Sequence, residues 1–241
     1  MKRSFPKPLN ESEKQCSFTL YKLSNDRVPE YTIVKEYLYG RFDLFNLKGS
    51  IQEPDLQMID IANRITKAFR VISLDSIIEM IRSEELEMSA SDRVPLINNL
   101  EDPLFTQLSF LKDGPLDYET LGDLLPGCNA ESPASKYKYG EICSKILALL
   151  DLVWIYKDNG TKVMLSPMGV VFRKLPLQER CVLFKKLTFR LEVIRNIFRT
   201  NTDDRLDSVS EVSKWLNGST VKRRSQGINL LLKEINEETP Y

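Results

Sequence analysis

The chain has 241 residues, 34 Lys+Arg against 34 Asp+Glu, and no histidine. That length predicts one large or two small domains, able to bury roughly 70% of the unfolded surface without a metal or disulfide staple. Without imidazole there is no Ser-His-Asp or Cys-His nucleophile and no histidine base near neutral pH.

In chain order, residues 1–16 are polar with two prolines, and 17–23 alternate weakly, as a strand would. Residues 28–40 read as a helix after Pro29. A second helix spans 54–70, where Leu56, Ile59, Ile61, Ile65 and Phe69 recur at helical spacing. Ser73 is the expected N-cap of a third over 74–82, with Ile77, Ile78 and Ile81 inward. Residues 89–102 read as a linker. A short helix then spans 103–112, stopping at Asp113-Gly114, and Asp117 caps another over 118–125. Ser132-Pro133 is an N-cap and first-turn pair opening a helix over 134–150 with Ile142, Ile146, Leu149 and Leu150 inward. Two β-rich runs, 152–157 and 161–165, flank Asp158-Asn159-Gly160 and predict a hairpin.

Three short helices followed at once by a hairpin is the order of a winged helix; a generic helical domain with one hairpin is the plainer alternative. Ser166-Pro167-Met168-Gly169 is expected to break the chain before a basic helical region over 170–198, interrupted at Pro176. A short helix over 208–216, a turn at Asn217-Gly218 and a last helix from a Ser219 cap to about 235 repeat the three-helix order without a hairpin. The expected fold is mainly α: tandem winged-helix and helix-turn-helix units with a short β-hairpin wing, and a helical N-terminal region. The expected divisions are 1–100, 101–168 and 169–241.

The four cysteines, Cys16, Cys128, Cys143 and Cys181, contain no C-x-x-C pair and read as reduced thiols of a cytosolic chain. The Met1-Lys-Arg-Ser start has no apolar leader and no apolar run is long enough to span a bilayer. A cytoplasmic protein with no membrane contact is expected.

Zero net charge is a cancellation. From Asp75 to Glu131 there are 13 acids and three bases; from Lys162 to Arg199 there are nine bases and two acids. Wet helix faces carry charge in any protein, but a bipolar molecule would also orient on a phosphate backbone.

With Ile142 inward, the helix over 134–150 turns Lys136, Tyr137, Gly140, Glu141 and Ser144 outward, with Lys138 and Lys145 at the edge. With Ile228 inward, the last helix buries Val221, Leu231, Leu232 and Ile235. It exposes Lys222, Arg223, Gln226, Asn229 and Lys233, with Arg224 beside them and Leu230 also outward. Arg, Gln and Asn are the side chains that read guanine and adenine edges, and Lys serves phosphates. Lys157, Asn159 and Lys162 of the wing are within reach of a backbone or a minor groove. Each face also reads simply as a solvated one.

Lys138-Tyr-Gly-Glu with Leu-Ala-Leu-Leu-Asp-Leu-Val, Leu165-Ser-Pro-Met-Gly and Ser219-Thr-Val-Lys-Arg-Arg-Ser resemble winged-helix modules attached to prokaryotic restriction and defence proteins. Similar subdomains form the recognition part of the Fok-type restriction endonuclease, and the Leu-Ser-Pro-Met-Gly element also resembles a domain behind some ABC-type ATPases. The resemblance covers residues 103–235 and implies DNA binding within restriction–modification or a related regulatory system.

A hidden nuclease is not expected. Histidine-dependent nucleases are excluded, no lysine has Asp or Glu two residues before it, and phosphate-binding loops are absent. The expectation is a non-catalytic protein without cofactor, metal or small-molecule substrate, binding double-stranded DNA. Lys174, Arg180, Lys185, Lys186, Arg190, Arg195 and Arg199 would supply electrostatic capture. The alternative is a winged-helix scaffold that docks a nuclease, an ATPase or a second copy of itself.

Overall fold

The computed structural model describes residues 28–40, 54–84, 94–200 and 208–237, and the backbone of 3–5. The expected strand over 17–23 lies outside them. The described chain is mainly helical with one small antiparallel sheet. Three N-terminal helices, α1 (Glu30–Leu38), α2 (Leu56–Val71) and α3 (Leu74–Arg82), form over the expected stretches. Ile61, Ile65 and Phe69 of α2 and Ile77 and Ile81 of α3 are buried, whereas Leu56 is exposed. Asp55 and Ser73 cap α2 and α3 by accepting from the Met58 and Ser76 N–H groups. Each such cap contributes about 1 kcal/mol.

Next comes a three-helix and hairpin unit. Its first helix is irregular: a π-helical Asp102–Gln107, then α4 (Leu108–Phe110), then a 3₁₀ turn, Leu111–Asp113. A short strand that sequence alone does not reveal, β2 (Leu116–Asp117), precedes α5 (Tyr118–Leu124), α6 (Pro133–Leu149), β3 (Val153–Lys157) and β4 (Thr161–Leu165). β2 pairs with β4 and β3 with β4, and the backbone of β1 (Arg3–Phe5) adds to the outer edge of β3. The hairpin forms around Asn159 (φ 47°) and Gly160 (φ 124°), the positive φ values that Asn-Gly accepts readily.

Alternation sends Val153, Ile155, Val163 and Leu165 into the main core and Trp154, Tyr156 and Met164 to the opposite face, against Met58. Residue 151 makes the turn between α6 and β3. The Leu152 N–H donates to the Leu147 carbonyl and the Asp151 N–H to that of Ala148, with Asp151 at φ 62°. This is a Schellman closure with aspartate at the position usually taken by glycine.

The expected break at Ser166-Pro167-Met168-Gly169 is instead a helix start. The Ser166 hydroxyl accepts from the Gly169 N–H and Pro167 takes the first turn of α7 (Pro167–Lys174), because proline there gives up only an N–H that has no helical partner. The basic region then divides at Pro176, as expected, and again at Leu191, giving α8 (Leu177–Leu187), a 3₁₀ turn and α9 (Glu192–Thr200). Last come α10 (Ser208–Ser213) and α11 (Ser219–Asn236). Gly218, not Ser219, is the N-cap of α11, and no side chain caps it.

The expected linker is also corrected over its described part. Val94 and Ile97 are buried, the Ile97 backbone and Cβ lie against Gly227 of α11, and the Arg224 guanidinium donates to the Val94 carbonyl. Apolar side chains in an irregular segment bury as readily as in a helix, but carry no period that would show it. Residues from α1–α3, the hairpin unit and α7–α11 join one contiguous apolar cluster. Among the described residues no helix is long and apolar enough to cross a membrane.

Candidate nucleic-acid interface

α6 is rotated from its expected setting. Gly140, Cys143, Ser144, Ile146 and Leu147 face inward, and Ile142 is half-exposed. Two glycines cause this. A Cβ on Gly140 would sit 2.0 Å from the Tyr118 carbonyl oxygen, and one on Gly122 would sit 1.9 Å from that of Lys136. The backbones of α5 and α6 therefore touch, which only glycine permits. Ser144 follows Gly140 into this contact. Its hydroxyl donates to the Gly140 carbonyl at 2.7 Å and accepts from the Gln107 amide at 2.7 Å. Ser144 is thus internal, a correction to its outward placement.

The cations of α6 are engaged by acids. Glu141 accepts from Lys138 at 2.6 Å and from Lys145 at 2.7 Å, and Lys136 pairs with Asp123 of α5. Partial burial pushes the Glu141 carboxyl up, but hydrogen bonds from Lys138 and Lys145 outweigh it and hold the group below its ordinary value. Tyr137 is exposed and meets the Tyr118 ring edge-on. On the sheet, Lys162 lies 3.4 Å from Asp117 across the β2–β4 pair.

The basic stretch is turned inward, and this is the largest departure from expectation. Lys185 is buried and donates to the Glu237 carbonyl at the end of α11. Lys186 is buried and donates to the carbonyls of Phe69 at 2.6 Å and Ile72 at 2.7 Å, at the end of α2. Arg190 donates to the Tyr37 carbonyl at 2.7 Å and stacks over the Tyr37 ring. Arg195, fully buried, donates to the carbonyls of Leu38, Phe189 and Arg190. Arg199 donates to the Ile81 carbonyl at 3.0 Å and the Tyr39 hydroxyl at 2.6 Å. The C-terminal ends of α1, α2, α3 and α11 are thus each met by a cation from α8, α9 or the turn between them. The last turn of a helix leaves carbonyls without partners and carries partial negative charge, so a cation there is favoured. These cations serve the fold, and Lys185 and Lys186 are not at the surface as expected.

α11 keeps the expected face. Ile228, Leu231, Leu232 and Ile235 are buried; Lys222, Arg223, Gln226, Asn229 and Lys233 are exposed. Asn229 accepts from the Ser208 hydroxyl at 2.6 Å through its amide oxygen. Arg224 is the exception in this group, drawn back onto Val94. Among the described residues, no group of three or more Cys, Asp or Glu side chains is placed to hold a metal ion.

Sequence reasoning missed the inward use of the basic stretch. Its one available signal was the position of Arg195 in the basic stretch, four residues after Leu191 and three before Phe198, in line with them rather than opposite. No protein-family model matches the chain, and no curated protein or solved structure matches it either.

Proposed function

We propose that the chain is a non-catalytic protein that binds double-stranded DNA through α11, built on a winged-helix unit over residues 102–165. The order helix, strand, two helices and hairpin, with β2 paired to β4, supports the winged-helix reading. The observation that carries the DNA reading is the row Lys222, Arg223, Gln226, Asn229 and Lys233 on the exposed face of α11. Arg and Gln or Asn on one helix face can address base edges, and Lys at its ends can address phosphates. With the cations of α8 and α9 engaged internally, α11 is the better contact. By the resemblance noted above, such a protein would serve as a recognition or regulatory component of a restriction–modification or related defence system.

A second reading, a scaffold that docks a protein, draws on the outer face of α6. There Lys138 and Lys145 are already matched by Glu141, while Tyr137 is exposed and Ile142 half-exposed. A neutralised face with apolar side chains suits a protein better than a phosphate backbone.

Anisotropy of a labelled random-sequence duplex, titrated with the protein across a salt series, tests the first reading. Binding through α11 predicts affinity that falls steeply with salt, and a log–log slope smaller by about two in the Lys222→Ala/Arg223→Ala double variant. Absence of binding at low salt overturns the DNA reading. An unchanged slope in the double variant overturns the role of α11.

A further inference from the structure

Lys185 and Lys186 are neighbours on α8 and reach different helix ends, one that of α11 and the other that of α2. Lys186 also lines a cavity of about 240 Å³ between α2 and α8. An ammonium has three N–H donors. Two of those on Lys186 reach the Phe69 and Ile72 carbonyls, which are neutral, and the third has no acceptor among the described residues. Among the described residues no carboxylate pairs with Lys186. Glu179, the acid in the cavity lining, is held at the mouth by Arg70. A buried charge without a counter-charge is costly, and burial pushes the Lys186 amine below its ordinary value.

The rest of the wall is mostly apolar, from Phe69, Leu175, Val182 and Leu183, with Thr66 and Gln178 as its uncharged polar members. One buried cation at the wall of an apolar cavity fits a ligand with one negative charge and a hydrocarbon body. At about 30 Å³ per water-sized group, the space takes about eight non-hydrogen atoms, with the end of a slightly longer chain at the mouth. We propose that this cavity binds a small monocarboxylic acid with an apolar tail, its carboxylate on Lys186 and its tail against Phe69, Leu175 and Leu183. A small-molecule ligand lies beyond the DNA reading and does not depend on it.

Calorimetry on the full chain, without DNA, tests the site with octanoate, and with octan-1-ol as the same tail without charge. A charge-assisted hydrogen bond predicts octanoate binding at least about tenfold tighter than the alcohol. Lys186→Met, which keeps the apolar stem, should bring octanoate to the alcohol's level. Should that variant fail to fold, Val182→Trp, at an exposed position of the wall, should abolish binding of both while leaving Lys186 in place. Equal affinity for acid and alcohol, absence of octanoate binding, or octanoate binding undiminished by Val182→Trp each overturns the proposal.

Discussion

The Tyr37 hydroxyl donates to Asp151 Oδ2 at 2.8 Å, joining α1 to the turn that closes α6. Both residues are buried, and Asp151 holds φ 62°, a conformation that aspartate tolerates better than most residues. Tyr37→Phe should therefore lower stability by about 1–3 kcal/mol, the range for leaving a buried acceptor without its donor. Asp151→Asn keeps an acceptor and tolerates the same backbone, so it should cost less than Asp151→Ala, which loses both. Urea midpoints of the three variants check the order. An alanine variant as stable as the asparagine one would mean that this bond does not tie the two segments together.

Elements whose signal is local were legible in the sequence. Ser73, Asp117 and Ser132 precede helices as expected and accept from the N–H three residues on, and Asn159-Gly160 marks the hairpin. Asp55 and Ser166 cap helices in the same way, but the sequence pattern puts the first already inside its helix and the second at a break. α11 was legible because its apolar residues, Leu230 excepted, face a single side. α6 was not, because glycine and serine occupy its inward face and the nonpolar Ile142 its outer one. An apolar pattern cannot report a contact made by two backbones. Nor could the sequence distinguish a cation aimed at solvent from one aimed at a helix end 117 or 157 residues away, as in Lys186 to Phe69 and Arg195 to Leu38.

The backbone contact of α5 with α6 gives an inverted glycine rule. Gly→Ala inside an exposed helix ordinarily stabilises by about 1 kcal/mol. At Gly140 the new Cβ would meet the Tyr118 carbonyl oxygen at 2.0 Å and the Gly122 nitrogen at 3.0 Å, both backbone atoms that cannot turn aside. Gly140→Ala should destabilise by about 1–3 kcal/mol, the range for overpacking. Gly122→Ala should do the same against Lys136. Thermal melts decide it, and a stabilised Gly140→Ala would refute the close approach.

Cations of two kinds should respond oppositely to truncation. Arg195→Met leaves the carbonyls of Leu38, Phe189 and Arg190 without their donor inside the protein and should cost about 3 kcal/mol. Arg223→Ala removes an exposed side chain and should stay within about 0.5 kcal/mol of the parent. Paired unfolding curves compare them. If Arg195→Met proves as benign as Arg223→Ala, the basic stretch is not holding the helix ends.

Glu141 gives stability a pH dependence with a defined sign. Its carboxyl is held below its ordinary value of 4.5, so it binds fewer protons folded than unfolded near that pH. The stabilisation is present above pH 4.5 and is lost as pH falls through the lower folded value. Surface ion pairs of this type contribute about 0.3–0.5 kcal/mol each. Glu141→Gln should therefore be less stable than the parent by up to about 1 kcal/mol at pH 7, with the gap closing in acid and in high salt. A gap that persists in acid once the carboxyl is protonated in both the folded and the unfolded chain would assign it to something other than charge.

Thiol labelling tests the inward setting of α6 directly. Cys143 is buried beside Tyr139 and Asp102, and burial, reinforced by the Asp102 charge, pushes its thiol up to about 12. The thiolate is the reactive form, so at pH 8 its population would be on the order of one in ten thousand. Cys128 and Cys181 are only partly buried. Treatment of the native protein with iodoacetamide, followed by peptide mass analysis, should mark Cys128 and Cys181 and leave Cys143 unmodified until denaturant is added. Had α6 kept Ile142 inward, Cys143 would lie nearer the surface. Labelling of Cys143 at the rate of Cys128 in the folded chain would therefore restore that setting and return Ser144 to the outer face.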